Sequence, residues 1–147
     1  MKTTTTWLLA AAAALSLASC ANVRDKMPGW MPGSNAVSVN LTGAEEVPPV
    51  KTEGSGSGSF RVGEDGTISG SVSTKGVPGT MAHIHQAAKG QNGPVIVPLT
   101  KEGDTYSVPP GRKLTDAQMK AFKAGQLYVN VHTAQNKGGE VRGQLQP

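Results

Sequence analysis

Residues 60–74 have the sequence FRVGEDGTISGSVST. An Asp-Gly pair separates two segments in which apolar and polar residues alternate, and this combination predicts a tight β-hairpin. In the second strand of the hairpin, Ile68 and Val72 are expected to face inward, with a glycine between them. The preceding serine and glycine tract, residues 54–59, has the composition of a flexible linker. Because it runs directly into the hairpin, we interpret it instead as partly a strand of small residues that faces something close.

The remaining strands follow the same period of two. Val37, Val39 and Leu41 alternate with polar residues, which is typical of a half-buried strand. Later segments of the same character are separated by glycine and proline, and they cover residues 80–86, 94–100, 105–108, 126–133 and 140–146. Eight or so short strands with this spacing predict an antiparallel sandwich or a Greek-key barrel.

One short helix is predicted between two of these strands, at residues 116–124. Thr115 and Gln118 have the spacing of a capping box, in which each side chain satisfies a backbone N–H of the first helical turn. Gly125 is placed to close the helix in the left-handed conformation. Together these residues predict where the helix begins and ends.

The first 19 residues have the features of a signal peptide. Lys2 supplies a positive charge, and the apolar run from Trp7 to Leu17 is shorter than the roughly 20 residues needed to span a bilayer. The tetrapeptide Leu17-Ala18-Ser19-Cys20 resembles the lipobox of bacterial lipoproteins, in which the cysteine is diacylated and becomes the new N-terminus. We therefore expect Cys20 to carry the lipid. The alternative is an ordinary secretory signal with an incidental cysteine.

A lipid anchor predicts a protein of the cell envelope that faces the periplasm or the exterior. Ala21 follows the cysteine where an aspartate would retain a lipoprotein, which indicates the outer membrane if the organism has two membranes. Residues 20–35 contain two Pro-Gly pairs and no periodicity, and they are interpreted as a lipid-anchored linker. Residues 36–147 are then the single folded domain.

Composition excludes several classes of function. The net charge is +4 and aromatic residues make up only 4% of the chain, with the basic residues dispersed, so nothing indicates nucleic-acid binding. Cys20 is the only cysteine, which leaves the domain without a disulfide, a thiolate nucleophile or a cysteine metal site. No Gly-x-Ser-x-Gly motif or spaced acid/base pair is present. An enzyme is therefore the least favoured class, with a mononuclear copper oxidase left open.

All three histidines lie on predicted strands. His83 and His85 alternate with apolar residues, so their imidazoles share one strand face, and His132 is expected on the polar face of another strand. Two histidines at positions i and i+2 can share a metal ion, and a third from a neighbouring strand would complete a three-nitrogen site. Histidines on a strand can equally be ordinary surface residues, and the pattern alone leaves both interpretations open.

Four stretches carry a family resemblance: LTGAEEVPPV at 41–50, AHIH at 82–85 with GQNGPV at 90–95, GQLYVNVHT at 125–133, and GEVRGQL at 139–145. In this order they resemble the CHRD domain, a module named after chordin and widespread in exported bacterial proteins. The resemblance covers about residues 39–146. It implies an all-β, immunoglobulin-like or Greek-key domain. Together with the helix predicted above, the expected fold is an antiparallel Greek-key or immunoglobulin-like β-sandwich with one short helix. All three histidines lie within the matching stretches, which favours a metal site, but the family implies no assigned activity.

The segment His83-Ile84-His85 is also similar to the copper strand of Cu/Zn superoxide dismutases. Those enzymes need additional histidines and a disulfide, so a chain with three histidines and one cysteine cannot build the full dismutase site. Copper is still the expected ion, because imidazole suits it and copper stands highest in the divalent affinity order. Met81, on the same strand face, is a further candidate ligand whose thioether favours Cu(I). Ordinary packing is the alternative role for Met81.

Glu45, Glu46 and Glu140 are candidate partners that would orient the imidazoles from outside the metal. Two functions of different classes follow. The first is an exported, membrane-anchored protein that holds one copper ion through its three histidines, for copper handling or storage. The alternative is a metal-free adhesion or scaffold module of the cell envelope. The sequence identifies no protein partner.

Overall fold

The structure is a computed structural model that describes residues 35–147. The predictions made for residues 1–34 lie outside the described residues: the signal peptide, the lipid site at Cys20 and nearly all of the linker. Between residues 35 and 147 no helix is long and apolar enough to cross a membrane.

The described part of the chain contains nine strands, one 3-10 turn and one α-helix. In chain order they are β1 (Asn35–Thr42), the 3-10 turn (Gly43–Glu45), β2 (Ser55–Val62), β3 (Ile68–Lys75), β4 (Gly79–Gln86), β5 (Val95–Pro98), β6 (Thr100–Glu102), β7 (Thr105–Ser107), α1 (Asp116–Lys123), β8 (Leu127–Thr133) and β9 (Val141–Leu145). The strands form a single antiparallel sheet in the order β5-β4-β8-β9-β1-β2-β3-β7-β6.

The two edge strands of this sheet nearly meet, so the sheet has almost the shape of a barrel. β5 and β6 follow each other in the chain with only Leu99 between them, and the Leu99 N–H donates to the Ala82 carbonyl of β4 at 3.0 Å. The prediction of an all-β antiparallel fold with one short helix is therefore confirmed. The finer Greek-key or immunoglobulin-like sandwich arrangement stays a prediction.

Alternate residues of the strands fill the interior, as the period of two predicted. Val37, Val39 and Leu41 of β1 are buried, and so are Ile68 and Val72 of β3. Because successive side chains of a strand point to opposite faces, the residues between them reach the outer surface. The core is therefore lined mainly by valine, leucine and isoleucine, residues that fit a pleated surface.

The serine and glycine tract is a full strand, and the linker composition is misleading here. β2 lies between β1 and β3 and pairs with both along its whole length. A Cβ atom at Gly58 would overlap the carbonyl oxygen of Ser71, which faces it from β3. Small residues are needed at such a position because the neighbouring backbone approaches too closely for a side chain.

The helix begins and ends within one residue of its predicted bounds. The Thr115 hydroxyl accepts from the Gln118 N–H at 3.3 Å, and the Gln118 side chain accepts from the Thr115 N–H at 2.9 Å, which is the predicted capping box. At the other end Gly125 has a φ of +66°. Its N–H donates to the Phe122 carbonyl at 2.8 Å, so the helix closes in the left-handed conformation expected of glycine.

Replacing Thr115 with alanine is expected to lower the free energy of unfolding by about 1 kcal/mol, because one backbone N–H of the first turn loses its acceptor. Urea unfolding of the variant measures this difference. Thr115→Ser keeps the hydroxyl and should retain most of the stability. An alanine variant as stable as the starting protein would contradict the role of the cap.

Candidate metal centre

The strands β4 and β8 are neighbours, and their register brings the three histidines to one face. Across the antiparallel ladder, Met81 is opposite His132, His83 is opposite Asn130, and His85 is opposite Tyr128. Paired residues of adjacent strands point to the same side of the sheet. The residues between them face the barrel interior and are fully buried; they are Ala82, Ile84, Val129 and Val131. The predicted division of both strands into an apolar and a histidine-bearing face is confirmed.

The three imidazoles form one compact cluster. One ring nitrogen from each of His83, His85 and His132 lies within 4.8 Å of the corresponding atoms of the other two. His83 Nδ1 and His132 Nε2 lie 3.0 Å apart and share a hydrogen bond between the two rings. His85 and His132 are buried and His83 is half-buried, so the cluster reaches the surface on the His83 side.

Backbone carbonyls fix the orientation of two of the rings. His85 Nδ1 donates to the Gly93 carbonyl at 3.0 Å, and His132 Nδ1 donates to the Lys137 carbonyl at 2.8 Å. A neutral imidazole has one N–H, so these bonds leave the lone pair on Nε2 of both rings. This is the arrangement in which metal-binding histidines are usually held, with the second nitrogen bonded to an oriented acceptor.

The carboxylates proposed for this orienting role are elsewhere, and that prediction is wrong. Glu140 accepts hydrogen bonds from Thr52 at 2.9 Å and Thr133 at 2.8 Å, and Glu45 forms an ion pair with Lys89 at 3.1 Å. Glu46 is buried and interacts with the Asn130 amide and the Val47 backbone. The loops after β4 and β8 fold back over the outer face, and their carbonyls reach the imidazoles in place of these side chains.

An aromatic and cationic stack supports His85 from the side. The Tyr128 ring is parallel to the His85 ring, with an interplanar angle of 4° and centroids 4.7 Å apart. The guanidinium carbon of Arg142 lies 3.4 Å from the Tyr128 ring centroid, a cation–π contact. Since β8 lies between β4 and β9 in the sheet, Tyr128 is placed between the other two side chains.

Arg142 also ties the loop after β4 to the sheet. Its side chain is only 1% exposed. One guanidinium nitrogen donates to the Gln91 carbonyl at 2.7 Å and another to Asn92 Oδ1 at 3.2 Å. The same loop supplies the Gly93 carbonyl that holds His85, so Arg142 acts on the histidine cluster through both the stack and the loop.

The electrostatic environment keeps two of the imidazoles neutral. Burial lowers the pKa of His83, and the nearby rings of His132 and His85 lower it further. Burial is also the main cause that lowers the pKa of His85. Only the neutral ring can bind a metal ion, so these shifts leave both residues ready to act as ligands at neutral pH.

Several polar atoms beside the cluster have no hydrogen-bond partner within residues 35–147. They include His85 Nε2, Asn130 Oδ1 and Glu46 Oε1, all of them buried. A buried polar atom without a partner is costly, and most such atoms in folded proteins are satisfied by protein, water or an ion. The nitrogen-rich donor set of the cluster therefore fits a metal ion.

Met81 lies at the rim of the cluster. It is opposite His132 in the ladder, on the face that carries the histidines, and is 50% exposed. Its role as a ligand stays a prediction. The residues that sequence reasoning missed are Tyr128, Asn130 and Arg142. Tyr128 and Asn130 alternate with apolar residues on the strand of His132 and therefore share its face, and this period of two was the available signal.

A model of the CHRD domain family matches residues 37–145, which is more than half of the chain. The chain belongs to the CHRD domain family. The predicted resemblance is thereby confirmed. No curated protein matches the chain, and no solved structure matches it. The histidine cluster of this CHRD domain lies wholly within the matched residues.

The lowered pKa values of His83 and His85 predict that acid destabilises the domain. Below pH of about 6.5 the unfolded chain binds protons at these rings while the folded domain resists them, so the free energy of unfolding falls as the pH falls. Burial raises the pKa of Glu46, which acts in the opposite direction just above pH 4.5 because the folded state then takes up its proton first.

Urea unfolding between pH 7.5 and pH 5 tests this dependence. The starting protein should lose stability with acid more steeply than a His83→Gln, His85→Gln double variant, since Glu46 contributes equally to both. Identical slopes in the two proteins would show that the rings do not resist protonation in the folded state.

Proposed function

We propose that this CHRD domain protein is an exported, lipid-anchored metal-binding protein that holds a single copper ion through His83, His85 and His132. Its role would be copper handling or storage in the cell envelope. The observation that carries the proposal is the convergence of three ring nitrogens within 4.8 Å of one another, with His85 and His132 buried and His83 half-buried.

A metal ion explains the cluster better than the alternative that the three histidines are ordinary polar residues of the surface. The Nε2 atoms of His85 and His132 carry lone pairs, and the His85 atom is buried without a partner. The separation of 3.0 Å between His83 Nδ1 and His132 Nε2 can be bridged by two metal–nitrogen bonds of about 2.0–2.1 Å. A bound ion would replace the hydrogen bond between these two rings and would give the buried His85 nitrogen a partner.

Copper is the proposed ion because of the donor set. The cluster consists of imidazoles, with no acidic residue or cysteine in the group that the described residues form. Imidazole suits zinc and copper, and copper binds most strongly in the divalent series. Structural zinc sites usually have four protein ligands and often include thiolates, which a three-histidine cluster does not supply.

Titration of the purified protein with Cu(II), Cu(I) and Zn(II) tests the proposal. We expect one copper site per chain, binding copper more tightly than zinc, with an affinity that falls with acid only below pH of about 6.5 because the pKa values of His83 and His85 are lowered. Tighter binding of Zn(II) than of copper would identify zinc as the ion of this site. Weak, non-stoichiometric binding of every ion would favour the metal-free adhesion or scaffold module.

The envelope location rests on the sequence of the first 20 residues. Diacylation of Cys20 would anchor the domain firmly, because each buried methylene adds to membrane affinity. Cys20→Ser is expected to leave an unprocessed precursor and to move the protein out of the detergent phase in a detergent partition of cell membranes. Ala21→Ser, one residue further, is the control and should be processed normally. Normal processing and membrane partitioning of Cys20→Ser would rule out the lipid anchor.

A further inference from the structure

Asn130 occupies the middle of the histidine face. It is opposite His83 in the ladder between β4 and β8, and it precedes His132 by two residues on the same strand, so its side chain shares the face of both. The side chain is 2% exposed. A buried amide at this position is placed to act on any ion that the three imidazoles hold.

Hydrogen bonds orient the Asn130 amide. Its Nδ2 donates to the Gly138 carbonyl at 3.2 Å, and the same nitrogen lies beside the Glu46 carboxyl, since a Cβ atom at Gly139 would meet both. Both partners are acceptors, so the nitrogen of the amide must face them. Its oxygen is therefore on the opposite side.

A second buried acceptor lies on the same face of the sheet, in the ring of His85. His85 is opposite Tyr128 in the ladder, so Asn130, two residues from Tyr128, is its diagonal neighbour and within reach of its side chain. The single N–H of neutral His85 is already donated from Nδ1 to the Gly93 carbonyl. His85 Nε2 and Asn130 Oδ1 are therefore both acceptors, and within the described residues neither has a donor.

We propose that Asn130 Oδ1 is a fourth ligand of the metal ion, giving a site of three imidazole nitrogens and one amide oxygen. Two buried acceptors on one face of the sheet can both be satisfied by a cation that binds both. This inference rests on the proposed function, and it adds a preference for one oxidation state of copper. An amide oxygen is a hard ligand, whereas Cu(I) prefers soft ligands. The site should consequently favour Cu(II) over Cu(I).

The test compares Asn130→Leu, which keeps the approximate shape and removes the oxygen, with Asn136→Leu. Asn136 is the control, because it is the same residue type and its Nδ2 donates to Glu140 Oε2 at 3.2 Å. Affinities for Cu(II) and Cu(I) are measured by competition with chelators, and the Cu(II) electron paramagnetic resonance spectrum is recorded for each protein.

Asn130→Leu is expected to weaken Cu(II) binding about tenfold or more, at least as much as the loss of a residue that only supports a ligand, and to leave Cu(I) binding unchanged. A tenfold change in the ratio of the Cu(II) affinity to the Cu(I) affinity corresponds to a shift of about 59 mV in the reduction potential of the bound copper, a one-electron couple. The Cu(II) spectrum should change in Asn130→Leu and stay the same in Asn136→Leu. Equal loss of both ions, or no loss of either, would overturn the inference.

Asn130→Asp covers the case in which the leucine variant does not fold. The carboxylate keeps the shape and is a stronger, harder ligand, so Cu(II) affinity should rise clearly more than Cu(I) affinity. An equal rise for both ions would show only a charge effect and would overturn ligation. The proposed function fails separately, if the starting protein itself shows no stoichiometric copper binding.

Discussion

His132→Ala is expected to abolish stoichiometric copper binding. His132 connects the cluster to both strands. Its Nε2 lies 3.0 Å from His83 Nδ1, and its Nδ1 donates to the Lys137 carbonyl. Losing one of three imidazoles removes a metal–nitrogen bond and leaves a buried gap. The affinity should therefore fall by more than the roughly 10–100-fold typical of losing a residue that only supports a ligand. Isothermal titration calorimetry with Cu(II) measures the effect.

Two comparisons make this result specific. His83→Ala and His85→Ala should each weaken binding to a similar extent, because each contributes one nitrogen to the same group. Met81→Leu is the matched change at the rim and should have a much smaller effect, since the side chain is half exposed. If His132→Ala binds copper as the starting protein does, the three-histidine site does not exist.

The faces of the strands could be predicted from the sequence because the side-chain period of a strand is two. In β4 the alternation of apolar residues with His83 and His85 already separates the interior face from the histidine face. The hairpin between β2 and β3 could also be predicted, because an Asp-Gly turn is a local signal. Such predictions need only neighbouring residues in the chain.

The pairing of β4 with β8 could not be predicted in the same way. His83 and His132 are 49 residues apart, and the alternation in each strand carries no information about which strand lies beside it. The sequence allowed a three-nitrogen site only on the condition that these strands were neighbours. The sheet order supplies that condition.

The orienting partners of the histidines were predicted wrongly for a related reason. Acidic side chains can be identified in a sequence as candidate acceptors. Every residue has a backbone carbonyl, so the sequence does not distinguish the carbonyls of Gly93 and Lys137 from the others. Their position depends on how two loops fold over the outer face of the sheet. That folding depends in turn on buried contacts such as those of Arg142, which the sequence shows only as one more basic residue.

Arg142→Met is expected to lower the free energy of unfolding by about 3–5 kcal/mol, the range for removing one partner of a buried charge interaction. The change removes the donors for the Gln91 carbonyl and for Asn92 Oδ1 and the cation stacked on Tyr128. It also leaves the buried Glu46 carboxyl without the cation that favours its charged form.

Arg112→Met is the matched control, because Arg112 is exposed and the same substitution there should change stability by no more than about 0.5 kcal/mol. Arg142→Lys should fall between the two, since lysine keeps the charge but loses the planar fork that reaches two acceptors and stacks on a ring. Urea unfolding of the three variants measures the order. If Arg142→Met were no less stable than Arg112→Met, the loop after β4 would not depend on Arg142, and the Gly93 carbonyl would hold His85 without its help.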